Sequence, residues 1–301
     1  MNLSVIVPCY NEEESVEIFY NELVKQLNDE KITHEVLFIN DGSIDDTMIK
    51  LEGLSKKDKN VKIISFSKNF GKESAMLAGL EHASGKYVSI IDADLQQPVE
   101  VLISMYKKLI DNKDYDIVAA YRENRDNENK IKTMLTPLFY KIINKTSEIK
   151  LLPGASDFRV FKKEVKDAII SLKEQSRFLK GMFSWVGFNT IYVPYEPLDR
   201  KFGKSKWSLI KLIKYAIGGI VSFSTFPLAV VFVVSAVLFI LSLLNVLFGI
   251  FGMKTLILFL SIIGLMIGVI SLYLIRMYKN SLQRPHYIIK EKIGFRATKL
   301  K

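Results

Sequence analysis

The chain has 301 residues, 49% hydrophobic and 25% charged, with a formal net charge of +10 and a mean hydropathy of +0.17. That length fits one or two domains, the apolar content excludes a disordered chain, and the single cysteine, Cys9, excludes a disulfide scaffold and fits a reducing compartment. The three scattered histidines, His34, His82 and His286, leave no Cys/His zinc cluster.

Residues 2–120 alternate short apolar runs with helical patterns. The N-terminal run leads into Glu12, Glu13 and Glu14, the wrong order of charge for a signal peptide. The runs are Leu3–Val7, Glu35–Ile39, Val61–Phe66, Tyr87–Ile91 and Ile117–Ala120. They are rich in Val and Ile without strict alternation, as expected of strands buried on both faces. Strand–helix alternation predicts an α/β domain with a mainly parallel sheet, here over 1–205. Within it, Ile131, Met134, Leu135, Leu138, Phe139, Ile142 and Ile143 form one helical stripe between lysines. This predicts an amphipathic helix over 130–146, lying on a membrane surface or packed on the core. A second basic amphipathic helix is expected over 206–224, with Trp207 among its apolar residues.

The next part is apolar. No Asp, Glu, Lys or Arg lies between Lys214 and Lys254, or between Lys254 and Arg276. Runs of about 226–252 and 255–276 are each long enough for a ~30 Å hydrocarbon layer, so 225–277 reads as two transmembrane helices joined by a short turn. Eight basic residues lie from Arg276 to Lys301 and six from Arg200 to Lys214, against Lys254 alone in the turn. That asymmetry predicts that the N-terminal domain, both termini and the basic tail 278–301 are cytoplasmic. The net charge then points to an anionic membrane face rather than to nucleic acid.

In parallel α/β sheets ligands bind beyond the carboxyl ends of the strands. The residues just past the runs are Pro8, Tyr10, Asn11 and Glu12; then Asn40 to Ser43; then Asp92, Ala93 and Asp94; then Tyr121 and Arg122. No G-x-G-x-x-G follows the first strand, and Gly203-Lys204-Ser205 has Leu198 where a phosphate loop needs glycine. Asp92 and Asp94 at a strand end repel each other unless a cation joins them, and hard cations such as Mg²⁺ take carboxylates plus substrate phosphates. The alternative is that one of them caps the helix beginning near Pro98.

Three segments carry a resemblance: Val5-Ile6-Val7-Pro8-Cys9-Tyr10-Asn11-Glu12, Asp41-Gly42-Ser43-Ile44-Asp45-Asp46-Thr47 and Asp92-Ala93-Asp94-Leu95-Gln96. Together they resemble family 2 glycosyltransferases. Ser156-Asp157-Phe158-Arg159, Arg200-Lys201-Phe202-Gly203-Lys204-Ser205-Lys206-Trp207 and the paired spans point to the branch making polyprenyl-phosphate sugars, the dolichol-phosphate mannose synthase and bactoprenol glucosyltransferase group. One departure is Gln97, where many relatives carry aspartate.

The resemblance implies a GT-A type nucleotide-diphospho-sugar transferase domain on a bacterial cytoplasmic membrane. It implies a donor site from Pro8, Tyr10, Glu12, Asp41, Asp92, Ala93, Asp94, Gln96 and Arg122, with Arg200 and Lys206 clamping the diphosphate. Asp92 and Asp94 would hold Mg²⁺ or Mn²⁺, with Asp94 and Asp157 as the catalytic residues and Arg159, Arg177 and Lys180 near the acceptor phosphate. The implied reaction moves one sugar, glucose or N-acetylglucosamine from a UDP donor or mannose from GDP-mannose, to undecaprenyl phosphate, with inversion. Gly218, Gly219, Gly249, Gly264 and Gly268 on the span faces allow the close helix contact of a homo-oligomer. Two rival readings are weaker. A processive polysaccharide synthase needs Gln-x-x-Arg-Trp, whereas Gln175-Ser176-Arg177-Phe178 has the wrong spacing. A non-enzymatic subunit has no need of the acids at 41, 92 and 94.

Overall fold

The computed structural model describes residues 1–123, 130–175, 177–199, 209–249 and 252–295. Four strand–helix units come first: β1 (Leu3–Cys9), α1 (Val16–Asp29), β2 (His34–Asn40), α2 (Thr47–Lys57), β3 (Val61–Phe66), α3 (Lys72–His82), β4 (Tyr87–Ile90) and α4 (Val99–Asp111). Then follow β5 (Ile117–Arg122), α5 (Lys130–Thr146), β6 (Ala155–Lys162), α6 (Lys163–Ser171), α7 (Leu179–Trp185) and β7 (Thr190–Tyr195). The C-terminal part holds α8 (Leu209–Phe223), α9 (Phe226–Phe248), α10 (Met253–Ser281) and β8 (Ile289–Ile293).

The eight strands form one sheet in the order β7-β5-β6-β4-β1-β2-β3-β8. The pairs β1–β2, β1–β4, β2–β3 and β5–β7 are parallel, because a helix in each crossover returns the chain to the same end. Antiparallel pairs join β4 and β5 to β6, and β3 to β8. Both faces of β1 to β5 are buried, which is why those strands lack polar alternation. Val5, Val7 and Phe38 face α1, α2 and α4, whereas Ile6, Leu37 and Ile39 face α3, α6 and α7. The mainly parallel α/β layer expected from the sequence is therefore present, with β6 inserted between β4 and β5 and with β7 and β8 added at its two edges. Those three strands carry Asp157 and Arg159, Pro194, and Lys290, Glu291 and Lys292, so an apolar-run criterion passes over them.

The described half of α5 sits on the domain. Ile143 is fully buried with Ile149, Leu151 and Phe178, and Asn144 is bonded through its amide to both backbone groups of Leu151. α9 and α10 have mean hydropathies of 2.8 and 2.6 in their most apolar windows, none of which is buried. They pack on each other. Gly249, in the left-handed region at φ 62°, ends α9 and donates its N–H to Asn245 O. Polar bonds fasten the base of the pair: Tyr273 Oη donates to Ser224 O at 2.7 Å, and Arg276 bridges Ser222 and Glu174.

After α10 the chain returns to the domain it left. β8 covers the exposed edge of β3. Tyr287 stacks on Phe66 at 4.7 Å, and Lys292 Nζ lies 2.8 Å from His82 Nε2. His82 Nδ1 donates to Ala78 O, so Nε2 is the acceptor of the Lys292 ammonium. Burial pushes the His82 pKa down; Lys292 and Lys62 act in the same direction, against Glu81 and the Ala78 carbonyl.

A histidine whose folded pKa lies below its ordinary value of 6.5 adds stability that is complete above 6.5 and is lost as the pH falls below it. Hydrogen exchange of the β8 amides, corrected for intrinsic rates, is therefore expected to be several-fold less protected at pH 5 than at pH 7.5. His82→Gln should flatten that dependence. Protection unchanged with pH in the unaltered chain would refute the coupling.

Candidate active site at the carboxyl edge of the sheet

The first two strand–helix loops are laced together. Asn11, in the left-handed region at φ 53°, donates its N–H to Ser43 Oγ and accepts Ile44 N–H on Oδ1. Glu12 N–H donates to Thr47 Oγ1, and the Glu12 carboxylate accepts Ser15 Oγ. Pro8 ends up beside Ile39 in the β1–β2 register, with Tyr10 half-buried just beyond the strand. Gly42 combines φ +66° with a backbone contact: a Cβ there would stand 2.3 Å from Lys68 C.

Asp41 is 3% exposed. Its carboxylate accepts Phe70 N–H at 2.7 Å and Gly71 N–H at 2.9 Å. Burial still pushes its pKa above the usual carboxylate value, against those two donors. Asp41 thus ties the turn that starts α3 to the end of β2.

Beyond β4, Asp92 is gripped by Gln97. Asp92 N–H donates to Gln97 Oε1 at 3.0 Å, and Gln97 Nε2 donates to Asp92 Oδ2 at 3.2 Å. Gln96 N–H donates to Asp94 Oδ1, and Leu95 at φ 60° turns the chain between them. Ala93 is 2% exposed and packs in the core, so its methyl faces away from the edge and only its backbone is offered there. The N-cap of α4 is Pro98, and no side chain caps it; the helix-cap alternative for Asp92 or Asp94 is not what forms. Gln97→Ala leaves a half-buried Asp92 N–H without its acceptor, which costs about 1–3 kcal/mol. A lower thermal midpoint is expected, read by thermal unfolding; an unchanged midpoint would contradict the grip.

Asp157 reaches the same place from β6. Ile90 is paired with Arg159 in the antiparallel β4–β6 register, and continuing that register sets Asp92 opposite Asp157. Between them stands Lys72, from the first turn of α3. Its Nζ is 2.7 and 2.8 Å from the two Asp92 oxygens and 3.5 Å from Asp157 Oδ2. Burial alone would lower the Lys72 pKa, but Asp92, Asp157 and Asp94 together raise it. The strand-end reading passed over Lys72 because it took only residues directly after the first, second, fourth and fifth runs. Lys72 stands six residues past β3, beyond Asn69-Phe70-Gly71.

Burial acts to raise the Asp157 pKa, yet Lys180, Lys72 and Arg159 bring it below the usual carboxylate range. Arg159 is 5% exposed, with its guanidinium 4.1 Å from the Phe183 ring centre and Nη2 donating to Ser156 O. Lys180 Nζ donates to Ala155 O at 3.1 Å, and burial lowers its pKa against the pull of Asp157.

The other basic residues are placed differently. Arg177 points its Nη1 and Nη2 at Leu172 O and Ile169 O, both 2.9 Å, at the end of α6; the structure does not bring it into the group around Asp157. Arg122 Nε donates to Tyr195 Oη at 3.1 Å, across β5 and β7. Arg200 and Lys206 lie outside the described residues. Leu198, two positions before Arg200, donates its N–H to Gln96 O at 3.0 Å, so the chain stands beside the Asp94 turn at that point.

Among the described residues no group of three or more Asp, Glu, His or Cys is placed to hold a metal. Two hard carboxylates are what Mg²⁺-type sites use when substrate phosphates complete the shell. Asp92 already holds a cationic group, the Lys72 ammonium, on both oxygens. The pair therefore fits a divalent cation that arrives with a phosphorylated ligand.

Comparison with known proteins follows the same line. The sequence model described as Glycosyl transferase family 2 matches residues 4–169, from β1 into α6. The chain is 39% identical over 307 residues to the bactoprenol glucosyl transferase of Shigella phage SfV, covering 96% of this chain and 98% of that protein. It is 39% identical over 305 residues to the prophage bactoprenol glucosyl transferase homolog of Escherichia coli strain K12, covering 96% and 99%. Among solved structures, glucosyl-3-phosphoglycerate synthase from Mycobacterium tuberculosis in complex with Mn²⁺, uridine diphosphate and phosphoglyceric acid superposes with a TM-score of 0.50 at 18% identity, covering 73% of this chain and 76% of that one. Mannosyl-3-phosphoglycerate synthase from Rubrobacter xylanophilus gives 0.50 at 16% identity, covering 73% and 72%. These two likenesses bear on the fold of the sheet domain.

Proposed function

The chain belongs to glycosyl transferase family 2 and is a glycosyltransferase, and from that premise we propose that it moves one sugar from a UDP-sugar to polyprenyl phosphate at a membrane surface. The observation that carries this is the meeting of Asp92 and Asp157 across the β4–β6 register, with Asp94 alongside and Lys72 between them. Relatives named as bactoprenol glucosyl transferases support a polyprenyl phosphate acceptor and glucose as the sugar.

In this reading Pro8, Tyr10, Glu12 and Asp41 hold the nucleoside, and Gln96 and Arg122 line the sugar side, with Arg200 and Lys206 on the diphosphate. A divalent cation on Asp92 and Asp94, Mg²⁺ or Mn²⁺, supplies charge neutralisation for the departing nucleoside diphosphate. The acceptor phosphate oxygen attacks the anomeric carbon as the bond to the diphosphate oxygen breaks, inverting that centre. A phosphate monoester with a second pKa near 6 is largely dianionic at neutral pH. It needs placement more than deprotonation. An Asp157 held ionised by three cations is a weak base, which supports a positioning and charge-stabilising role.

α9 and α10 anchor the domain as two membrane spans, and the basic flanks draw the site to an anionic cytoplasmic leaflet. The test uses the full chain with undecaprenyl phosphate and, in turn, UDP-glucose, UDP-N-acetylglucosamine and GDP-mannose. One UDP-sugar is expected to give a lipid-linked monosaccharide, and chelation should abolish it. Mannose transfer would replace the donor assignment, a lengthening product would favour a processive synthase, and no lipid-linked sugar from any donor would overturn the reading.

A further inference from the structure

Lys72 supplies an observation the reaction scheme does not use. Its ammonium sits on both oxygens of Asp92 and within 3.5 Å of Asp157. The position is built rather than incidental. Asp41, itself buried, fixes Phe70 and Gly71 through their N–H groups, and Lys72 follows as the first residue of α3. Gln97 fixes the Asp92 carboxylate from the other side. Lysine and acid are thus each held by a partner of their own, and the ion pair is aligned by both.

A divalent cation on Asp92 needs the oxygens that Lys72 occupies. Alone, it would meet an ammonium at contact distance and an Asp92 carboxylate whose charge that ammonium already balances. Arriving with a diphosphate, it brings the anionic oxygens that complete its own shell and that give Lys72 a new partner. We propose that Lys72 is a built-in counter-cation that withholds Asp92 from free metal and yields it to metal carried by the nucleotide. The inference rests on the metal-dependent donor site proposed above and makes metal loading conditional on the donor. Its consequence is an Asp92 whose charge stays balanced between turnovers and that does not trap a bare cation.

The test is electron paramagnetic resonance of Mn²⁺ titrated into the full chain, with and without UDP. The unaltered chain is expected to bind Mn²⁺ at least about ten-fold more tightly with UDP than without. Lys72→Met should gain Mn²⁺ affinity without UDP by a comparable factor, and Lys72→Arg should keep the conditional behaviour. Asp92→Asn should lose Mn²⁺ binding in every arm. An unchanged UDP-free affinity in folded Lys72→Met overturns the proposal, as does equal Mn²⁺ affinity of the unaltered chain with and without UDP. That second comparison also decides the matter if substitutions at 72 fail to fold. Absence of Mn²⁺ binding by the unaltered chain even with UDP is a separate outcome, and it removes the metal-site reading on which the proposal rests.

Discussion

Asp94→Asn is expected to lower turnover by about 10²–10³-fold, the usual loss when a preorganised electrostatic stabiliser of developing charge is removed. Asn keeps the size and can still accept the Gln96 N–H that organises the turn, so the fold should survive with its thermal midpoint little changed. What is lost is one of the two charges available to a metal, with no third carboxylate or histidine among the described residues to replace it. Donor binding measured with metal should weaken, whereas any residual binding without metal should not change. A variant with normal turnover would remove Asp94 from the site.

Asp157→Asn is expected to reduce kcat by about 10²-fold, roughly 2.7 kcal/mol of barrier, with a smaller change in donor KM. The loss arises from charge: Lys72, Lys180 and Arg159 all act on this carboxylate, and neutralising it unbalances them. The pH dependence separates positioning from base catalysis. The folded pKa of Asp157 lies below its ordinary value of 3.8, so the group stays ionised from mildly acidic to alkaline pH. Its contribution to stability is present above 3.8 and is lost as the pH falls through the lower folded value. The variant should therefore be slower by one constant factor from pH 5.5 to 9, measured as single-turnover transfer. An acid limb in the unaltered enzyme that vanishes in the variant would assign Asp157 as a base instead.

Much of the candidate site was legible because parallel sheets place ligand-facing residues at strand ends. Asp41, Asp92 and Asp94 follow apolar runs directly, and their loops needed no tertiary knowledge to find. Asp157 was legible only through resemblance. Its strand alternates charged and apolar residues, and the antiparallel register that sets it opposite Asp92 is not written in local pattern. Lys72 was missed for a related reason: it reaches the edge from a helix start six residues past a strand, aimed there by Asp41. Gln97 read as a departure from a family pattern, yet in the fold it is the residue that grips Asp92 from two sides. The basic tail was read from charge alone, and charge conceals a five-residue strand whose partner is the distant β3 edge. Arg177, expected near the acceptor phosphate, points its guanidinium at the carbonyls that end a helix, a placement that local pattern does not encode.

In the proposed site the Asp92–Asp94 edge receives a divalent cation together with the donor's diphosphate. An experimental structure of the full chain with UDP and Mn²⁺, read by anomalous scattering, tests it most directly. One Mn²⁺ is expected at coordination distance, roughly 2.0–2.5 Å, from carboxylate oxygens of Asp92 or Asp94, beside the diphosphate, with the Lys72 ammonium moved from Asp92 to phosphate. Manganese and UDP bound away from these carboxylates would contradict it.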